Sequence, residues 1–342
     1  MKWSIGQVWN KALETDKSWE LRERDYIWAS EIGGAPIDRY LKMKAVKQTN
    51  PPNARSLRKF EAGNIMEGIV SLILLRAGIL KKTQEHINYQ YPGLLKVTGR
   101  LDLLAGGKVD YAKGLEEVKK MQGDFPEQWA FFFTATSKII EYLQAEYPAG
   151  LEEIIIEVKS CSSFMYDKYE KTGADLHHQL QLYHYLKGKN MPEGHIFYIS
   201  RDDLRLLEFG VYNPSPIEAI YKADIEKMTG IYGKGVEPEK EPMVVYEEKT
   251  GKFSRNWKVA YSGYLTLLYG YESQMEYENA WTGKVGSWNR VMGRCVKGDR
   301  MTDKNLEIIK EAKEFFPNWD ELVKTAKAKG LDPEAEVAEE TE

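Results

Sequence analysis

Residues 151–160 read LEEIIIEVKS, and this β-branched run predicts a central strand of a sheet. Alternate residues of a strand share a face, so Ile156 and Val158 can pack together into a core. Glu157 and Lys159 point to the other face, side by side. A carboxylate and an ammonium group at the end of an apolar strand are costly to bury unless they are paired or used. An isolated E-x-K is most often an ordinary ion pair, so the rest of the sequence has to decide its meaning.

The preceding stretch, residues 86–108 (HINYQYPGLLKVTGRLDLLAGGK), predicts two further strands around a Pro-Gly turn. The second of them contains Asp102 among apolar neighbours, where aspartate is uncommon without a partner. The ordinary role of Asp102 would be to cap the turn into the glycines that follow. If its strand lies beside the Glu157 strand, both carboxylates can instead converge on one cation. Mg²⁺ takes such oxygen ligands, and the backbone carbonyl of Val158 could supply a third.

Helical patterns surround these strands. Residues 56–76 predict a helix that ends before Gly78, the expected place for a C-cap glycine. Its expected apolar face consists of Leu57, Phe60, Ile65, Ile69, Leu72 and Leu75. Residues 110–150 predict a helical insertion, residues 175–187 a helix, and residues 194–212 a hairpin.

These elements predict an α/β (α+β) fold with a mixed central sheet flanked by helices. The expected divisions are a helical N-terminal region at 1–54, a core at 55–213 with the insertion at about 108–150, a mainly helical region at 214–332 and a disordered acidic tail at 333–342.

Two helical motifs carry further candidates. Gly63 and Glu67 form G-x-x-x-E, which offers Glu67 as an additional metal or water ligand, with Glu61 as its competitor. Gln179 and Tyr183 are four residues apart and lie on one face of the helix after the E-x-K strand. Such a glutamine and phenol could bind a phosphate or a metal-bound water and hold the lysine in place. Taken alone, each motif is more often a solvent-facing or packing feature.

In this order, G-x-x-x-E, G-R-x-D, E-x-K and Q-x-x-x-Y resemble the PD-(D/E)XK nuclease superfamily, in particular its RecB-like and phage recombination exonuclease branches. The resemblance covers residues 30–212 and implies a restriction-endonuclease-like core. It implies that Asp102, Glu157 and Glu67 bind Mg²⁺, for which Mn²⁺ would substitute, and that Lys159 is catalytic. It also places Gln179 and Tyr183 in the final motif of the RecB-like group.

Other metal groups are not expected. Some relatives hold an iron–sulfur cluster through cysteines, but this chain has only Cys161 and Cys295, and its segment 30–35 has none. We therefore predict no cluster. His177, His178 and His184 lack an acidic or thiolate partner at fixed spacing, so we predict no zinc site.

The expected partner is DNA. The net charge of −4 argues against a protein that coats nucleic acid through bulk charge, but a metal bound by carboxylates reverses the local field. Backbone phosphates could be contacted by Arg39, Lys42, Arg100 or His178. The C-terminal aromatic residues could stack on unpaired bases, although a helical core explains them better. They are Trp257, Tyr261, Tyr264, Tyr269, Tyr271, Trp281 and Trp288.

The sequence thus predicts a Mg²⁺-dependent deoxyribonuclease, with an exonuclease in phage or mobile-element recombination, or in DNA repair, as the favoured task. The alternatives are an endonuclease of the restriction or junction-cleaving type and a non-catalytic DNA-binding protein on a nuclease fold. The sequence leaves open whether the protein binds a recombination or repair partner protein and whether it forms a homo-oligomer. There is no apolar run of about 20 residues and no secretory signal, so we expect no membrane association and a cytoplasmic location, in the host if a phage encodes the protein.

Overall fold

The computed structural model describes residues 4–15, 22–124, 126–127, 130–247, 250–297, 302–315 and 319–327. The chain divides into two compact units. The first consists of Met1–Gly34, Arg39–Val46 and Pro52–Glu237, and the second of Ala35–Asp38, Lys47–Pro51 and Pro238–Glu342. The first unit therefore extends beyond residue 213, the end of the core expected from the sequence. No helix in the described ranges is long and apolar enough to span a membrane.

The elements have the following bounds. The strands are β1 (Tyr26–Trp28), β2 (Leu80–Tyr89), β3 (Lys96–Gly107), β4 (Leu151–Cys161), β5 (Glu193–Ser200), β6 (Leu206–Tyr212), β7 (Val244–Glu247) and β8 (Lys252–Arg255). The helices up to the end of the sheet are α1 (Ile5–Thr15), α2 (Pro36–Met43), α3 (Ala54–Arg76), α4 (Tyr111–Asp124), α5 (Ala130–Glu146), α6 (Ser163–Thr172) and α7 (Leu176–Lys189). The later helices are α8 (Ile217–Lys234), α9 (Trp257–Ala260), α10 (Leu265–Tyr269), α11 (Gln274–Lys297), α12 (Asp303–Glu311) and α13 (Trp319–Lys327).

The sheet of the first unit is mixed, as the sequence predicted. Its order is β1-β3-β4-β5-β6, and β2 also pairs with β3. The β1–β3 and β4–β5 pairs are parallel, and the other pairs are antiparallel. The strand predicted from residues 151–160 is β4, which lies inside the sheet between β3 and β5. The predicted insertion forms α4 and α5 between β3 and β4.

Strand β3 changes its partner partway along its length. It pairs with β1 over Lys96–Thr98 and with β4 over Leu103–Gly107. Strand β2 occupies its other edge over almost the whole length, so β1 and β4 must share one edge. Residues 99–102 of β3 therefore face a gap between the ends of β1 and β4.

Helix α3 buries a different face from the one that the sequence suggested. Val70 is buried with β3 and β4 residues, and Met66 and Leu74 pack against the same cluster. The expected core positions are instead exposed, including Phe60, Ile65, Ile69, Leu72 and Leu75. The prediction failed because apolar residues occur all round this helix, so the periodicity alone could not select the buried side. The predicted C-cap is present, with Gly78 at φ +72°.

Helix α7 covers the opposite face of the sheet. Its N-cap is Asp175, whose side chain accepts a hydrogen bond from the backbone N–H of His177. Leu180, Leu182 and Leu186 belong to the large buried cluster on this face. Because these three leucines are buried, the rotation of α7 about its axis is set. That rotation determines which polar side chains of α7 lie near the ends of β3 and β4.

The second unit has its own core of aromatic and aliphatic side chains. Tyr264, Trp281 and Trp288 are buried, as expected for a helical core, whereas Trp257 and Tyr261 are exposed. The hairpin of β7 and β8, together with helix α6 of the first unit, was not anticipated from the sequence. The predicted tail at 333–342 lies outside the described residues.

Gly99 of the G-R-x-D motif is required for close packing. A Cβ atom at this position would lie 2.8 Å from the Cβ of Ala29 and 2.8 Å from the Cε1 of Tyr185. We expect Gly99→Ala to lower the free energy of unfolding by about 1–3 kcal/mol, the usual cost of overpacking. Urea unfolding measures this change. The control is Gly68→Ala in α3, where nothing lies within 4 Å of the added Cβ; equal stability of the two variants would contradict the packing argument.

Candidate active site

The site begins where the β3–β4 ladder ends. Leu103 pairs with Ile156, and one further step of this antiparallel register sets Asp102 opposite Glu157. The N–H of Val158 donates a hydrogen bond of 2.9 Å to Oδ2 of Asp102. The carboxylate thus takes the place of a strand carbonyl at the fork between β1 and β4.

Lys159 closes this pocket. Its Nζ donates to Oε1 of Glu157 at 2.5 Å and to Oε1 of Gln181 at 3.2 Å. The Glu157 side chain is fully buried, while 23% of the Lys159 side chain is exposed. Within the described residues these are the two acceptors of the ammonium group, which leaves its third proton for a water or phosphate oxygen.

Burial and mutual repulsion make the two acids hard to ionise. Burial raises the pKa of Asp102 well above its usual range, and the neighbouring Glu157 and Glu67 raise it further. Burial also raises the pKa of Glu157, which Lys159 opposes only in part. For Lys159, burial lowers the pKa, but Glu157 and Asp102 outweigh burial and leave the pKa raised. Lys159 is therefore a cation at neutral pH. It lies beside two buried carboxyl groups, whose ionised forms a further cation in the pocket would stabilise.

The donor set fits a hard divalent cation. Oε2 of Glu157 is buried and has no hydrogen-bond partner among the described residues. An unpaired buried carboxylate oxygen is costly, and a cation is the partner that would satisfy it. Within a strand, the C=O of a residue points to the same edge as its N–H, so the Val158 carbonyl also faces Asp102. Mg²⁺ is held by one or two carboxylates plus waters and phosphate, so these oxygens suffice.

Glu67 contributes charge to the site. The described part of the chain holds no group of three or more His, Cys, Asp and Glu side chains arranged to bind a metal. The Glu67 carboxylate accepts a hydrogen bond of 2.7 Å from Gln84 Nε2, and its charge raises the pKa of both Asp102 and Glu157. The competing Glu61 accepts a hydrogen bond from Asn64. A role for Glu67 as a metal ligand stays a prediction.

The positions predicted for Gln179 and Tyr183 are wrong. Gln179 Nε2 donates to the carbonyl of Ala174 at 2.7 Å. The Tyr183 hydroxyl donates to Glu218 at 2.8 Å. Both side chains therefore have structural partners away from the acidic pocket.

The pair that reaches the pocket is Gln181 and Tyr185. Gln181 accepts from Lys159 through Oε1 and donates through Nε2 to the Tyr185 hydroxyl at 3.1 Å. Burial raises the pKa of Tyr185, so its phenol stays protonated. The segment QLQLYHY contains two overlapping Q-x-x-x-Y pairs, shifted by two residues and so about 200° apart around the helix. Only knowledge of which leucines are buried could have selected the second pair.

This assignment predicts unequal effects of two matched substitutions. Gln181→Leu removes the acceptor that positions Lys159, and we expect it to lower the nuclease activity predicted from the sequence about 10- to 100-fold, as for other residues that orient an active-site group. Gln179→Leu removes a contact to a backbone carbonyl and should leave the rate within about twofold. Nuclease assays on the two purified variants measure the difference. A larger loss for Gln179→Leu would contradict this assignment.

Two of the four predicted phosphate contacts are not available as cations. Arg39 is buried and forms hydrogen bonds of 2.6 Å and 2.8 Å to the Asp224 carboxylate. The structure thus contradicts its assignment to DNA. Burial lowers the pKa of His178 to about 3, so its ring is neutral at physiological pH. The Tyr198 hydroxyl accepts a hydrogen bond from the Asp175 N–H and lies 2.8 Å from His178 Nδ1, so the His178 ring has a structural partner.

The other two candidates line a crevice beside the acidic pocket. Its volume is about 580 Å³, and its walls include Trp28, Ser30, Lys42, Arg100, Gln181 and Tyr185. Arg100 is exposed, and the Lys42 ammonium lies 3.7 Å from Glu31. The crevice shares Gln181 with the lysine site, so a ligand in it would lie next to Lys159.

The raised acid pKa values predict how the metal-free protein responds to pH. Asp102 and Glu157 hold protons more tightly in the folded chain than in the unfolded chain, so the folded state binds more protons between their ordinary range and their folded pKa values. The contribution of these two acids to stability must fall as pH rises through that interval, whereas buried His178 and His184, whose pKa values are lowered, contribute stability that rises with pH up to the ordinary histidine range. In EDTA, urea unfolding near pH 5.5 and near pH 8 should therefore show a change in the free energy of unfolding that favours the higher pH more in Asp102→Asn/Glu157→Gln than in the unaltered protein. An equal change in the two proteins would contradict this origin.

The comparisons with known proteins are sparse. No protein-family profile matches the chain, and no curated protein matches it. One solved structure with a similar arrangement carries the description "Crystal structure of SSO0001". The superposition covers 67% of this chain and 87% of that chain, with 16% sequence identity and a TM-score of 0.41. This likeness is too remote to bear on the function of the chain.

Proposed function

We propose that the protein is a metal-dependent deoxyribonuclease of the PD-(D/E)XK kind. One observation carries the proposal: Asp102, Glu157 and Lys159 meet at the strand fork, with a buried Glu157 oxygen that has no hydrogen-bond partner among the described residues. A purely structural ion pair does not explain why this oxygen is buried without a partner, or why a second acid is buried beside it. Clusters of perturbed acids and a lysine beside a crevice are typical of catalytic sites.

Asp102, Glu157 and the Val158 carbonyl would hold Mg²⁺ or Mn²⁺, with Glu67 adding negative charge nearby. When bound, the metal would neutralise charge on the scissile phosphate and on the leaving oxygen. Lys159 stays protonated, so it serves as a cationic donor and not as the proton acceptor. The N–H of Lys159 that does not donate to Glu157 or Gln181 can donate to the attacking water or to a phosphate oxygen.

Gln181 and Tyr185 keep the lysine in position. The Tyr185 hydroxyl fixes the Gln181 amide, and the amide oxygen in turn fixes Lys159 Nζ. Because these hydrogen bonds are already formed, they do not have to rearrange when the substrate binds, which is the benefit of preorganised donors. Arg100 and Lys42 in the adjoining crevice would bind backbone phosphates of DNA.

The preferred task is exonucleolytic processing in recombination or repair, which rests on the resemblance in the sequence. An endonuclease with the same site and a non-catalytic DNA-binding protein are the alternatives. The test is incubation with end-labelled linear DNA and with covalently closed circular DNA, in Mg²⁺ and in EDTA. Digestion of linear DNA alone supports an exonuclease, and nicking of the circle supports an endonuclease. Absence of Mg²⁺-dependent cleavage of either substrate would overturn the proposal.

A further inference from the structure

The active-site strand β4 ends beside an arginine of the β5–β6 hairpin. Strands β4 and β5 run parallel as far as Cys161, and there the N–H of Arg201 donates a hydrogen bond of 2.8 Å to the Cys161 carbonyl. The guanidinium turns back along β4, where its Nη1 donates to Oγ of Ser160 at 3.4 Å. Because Ser160 directly follows Lys159, the guanidinium lies within one residue of the proposed catalytic lysine along β4.

The charge of this arginine is not neutralised by the acids next to it. Arg201 is followed by two aspartates, but both have other partners. Oδ2 of Asp202 accepts a hydrogen bond of 2.7 Å from the N–H of Ser163. Oδ2 of Asp203 accepts one of 2.8 Å from Nε of Arg205. Within the described ranges no carboxylate is in salt-bridge contact with Arg201, so the hairpin holds one neutralised arginine and one that is not.

The Arg201 and Ser160 side chains together offer several hydrogen-bond donors. A guanidinium has five N–H donors and no acceptor, and the bond to Ser160 uses one of them. Since the Ser160 hydroxyl accepts that bond, its own proton is available, and the described part of the chain provides no acceptor for it. Both residues are partly exposed. A guanidinium and a hydroxyl side by side are typical contacts to a phosphate of the DNA backbone.

The contacts of helix α3 show on which side of the acidic pocket this pair lies. A Cβ atom on Gly63 of α3 would lie 3.5 Å from Oγ of Ser160. Glu67 is one helical turn further along the same row of α3, and its charge acts on both acids of the pocket. The basic crevice is instead lined by Gln181 and Tyr185 of α7, on the opposite face of the sheet. The pocket therefore has a cationic region on each side.

We propose that Arg201 and Ser160 bind the backbone phosphate next to the scissile one, on the α3 side of the pocket. This inference rests on the proposed nuclease function and adds a second phosphate contact to it. The DNA strand runs from the crevice, past Asp102 and Glu157, to Arg201, and cations hold it on both sides of the bond that is cut. Arg201 contacts no reacting atom, so it stabilises the bound substrate and the transition state equally.

The test is the binding of fluorescein-labelled linear DNA to the full chain in EDTA, measured by fluorescence anisotropy at several salt concentrations. Loss of one charge-assisted contact should weaken binding by Arg201→Gln about 10-fold. It should also reduce the slope of log K against log[salt] by about 1. In Mg²⁺, the KM of this variant should rise about 10-fold while kcat stays within about twofold. Arg201 is partly exposed, so thermal unfolding should show an intact fold.

The matched control is Arg205→Gln, four residues away in the same hairpin. Arg205 already donates to Asp203 and Asp167, both at 2.8 Å, so its loss should leave DNA affinity and the salt slope nearly unchanged. Equal binding by Arg201→Gln and the unaltered protein would overturn the inference, and so would an equal loss in Arg205→Gln. DNA binding that depends on Arg201 without any cleavage in Mg²⁺ would support the phosphate contact and overturn the nuclease proposal alone.

Discussion

Lys159→Ala is expected to lower the rate of DNA cleavage by about 10²- to 10⁴-fold, the usual contribution of a positioned proton donor or acceptor. The substitution removes the only ammonium group within reach of the Glu157 carboxylate in the described structure and leaves the Gln181 amide oxygen without its donor. Steady-state cleavage of linear DNA in Mg²⁺ measures the loss. DNA binding should change much less, because Arg100 and Lys42 remain in the crevice.

The fold should survive this substitution. Burial already raises the pKa of Glu157, so the acid can take up a proton when its cation is lost. Lys189→Ala is the matched control, since Lys189 forms a partly buried ion pair with Glu85 far along the chain from the E-x-K motif. The control should retain full activity. Full activity of Lys159→Ala would remove the central catalytic assignment.

Asp102→Asn is expected to abolish both cleavage and the stabilisation of the protein by Mn²⁺. An amide oxygen can still accept the Val158 N–H, but the negative charge that attracts the cation is gone. A ligand at about 100 times its Kd stabilises a folded protein by about 2.7 kcal/mol, so the unaltered protein should show a clear rise in Tm with Mn²⁺. The variant should show none.

The same substitution should not destabilise the metal-free protein at neutral pH. Asp102 is buried beside Glu157, and loss of one of two repelling acids relieves the cost of burying them. Asp224→Asn provides the contrast, because it leaves the buried Arg39 without its carboxylate. That variant should lose stability, by about 3–5 kcal/mol for a broken buried ion pair, yet keep its response to Mn²⁺. A metal response retained in Asp102→Asn would contradict the proposed ligand set.

The sequence was most informative where strand patterning was strong. The β-branched run before Glu157 fixed β4 as an interior strand, and strand parity placed Glu157 and Lys159 on one face. The pairing of β3 with β4, on which Asp102 depends, could only be expected from the order of the motifs. The local sequence pattern cannot predict that β3 pairs first with β1 and then with β4. This change of partner depends on pairing between segments that are distant in the chain.

Helices were harder to orient than strands. The choice of Gln179 and Tyr183 failed because α7 presents two Q-x-x-x-Y pairs, and only its buried leucines decide which pair meets Lys159. The buried face of α3 was misjudged because both of its sides are apolar. Arg39 seemed a surface cation, but its partner Asp224 lies 185 residues away in the chain, beyond the reach of any local pattern.

The most direct measurement is the crystal structure of the protein soaked in Mn²⁺, with the metal located by its anomalous signal. We predict a Mn²⁺ peak between the Asp102 and Glu157 carboxylates, about 2 Å from an oxygen of each. One of the oxygens that coordinate the metal should be the Glu157 oxygen that has no hydrogen-bond partner in the described structure. An ordered pocket without a peak at saturating Mn²⁺, with Lys159 still the sole partner of Glu157, would contradict the account.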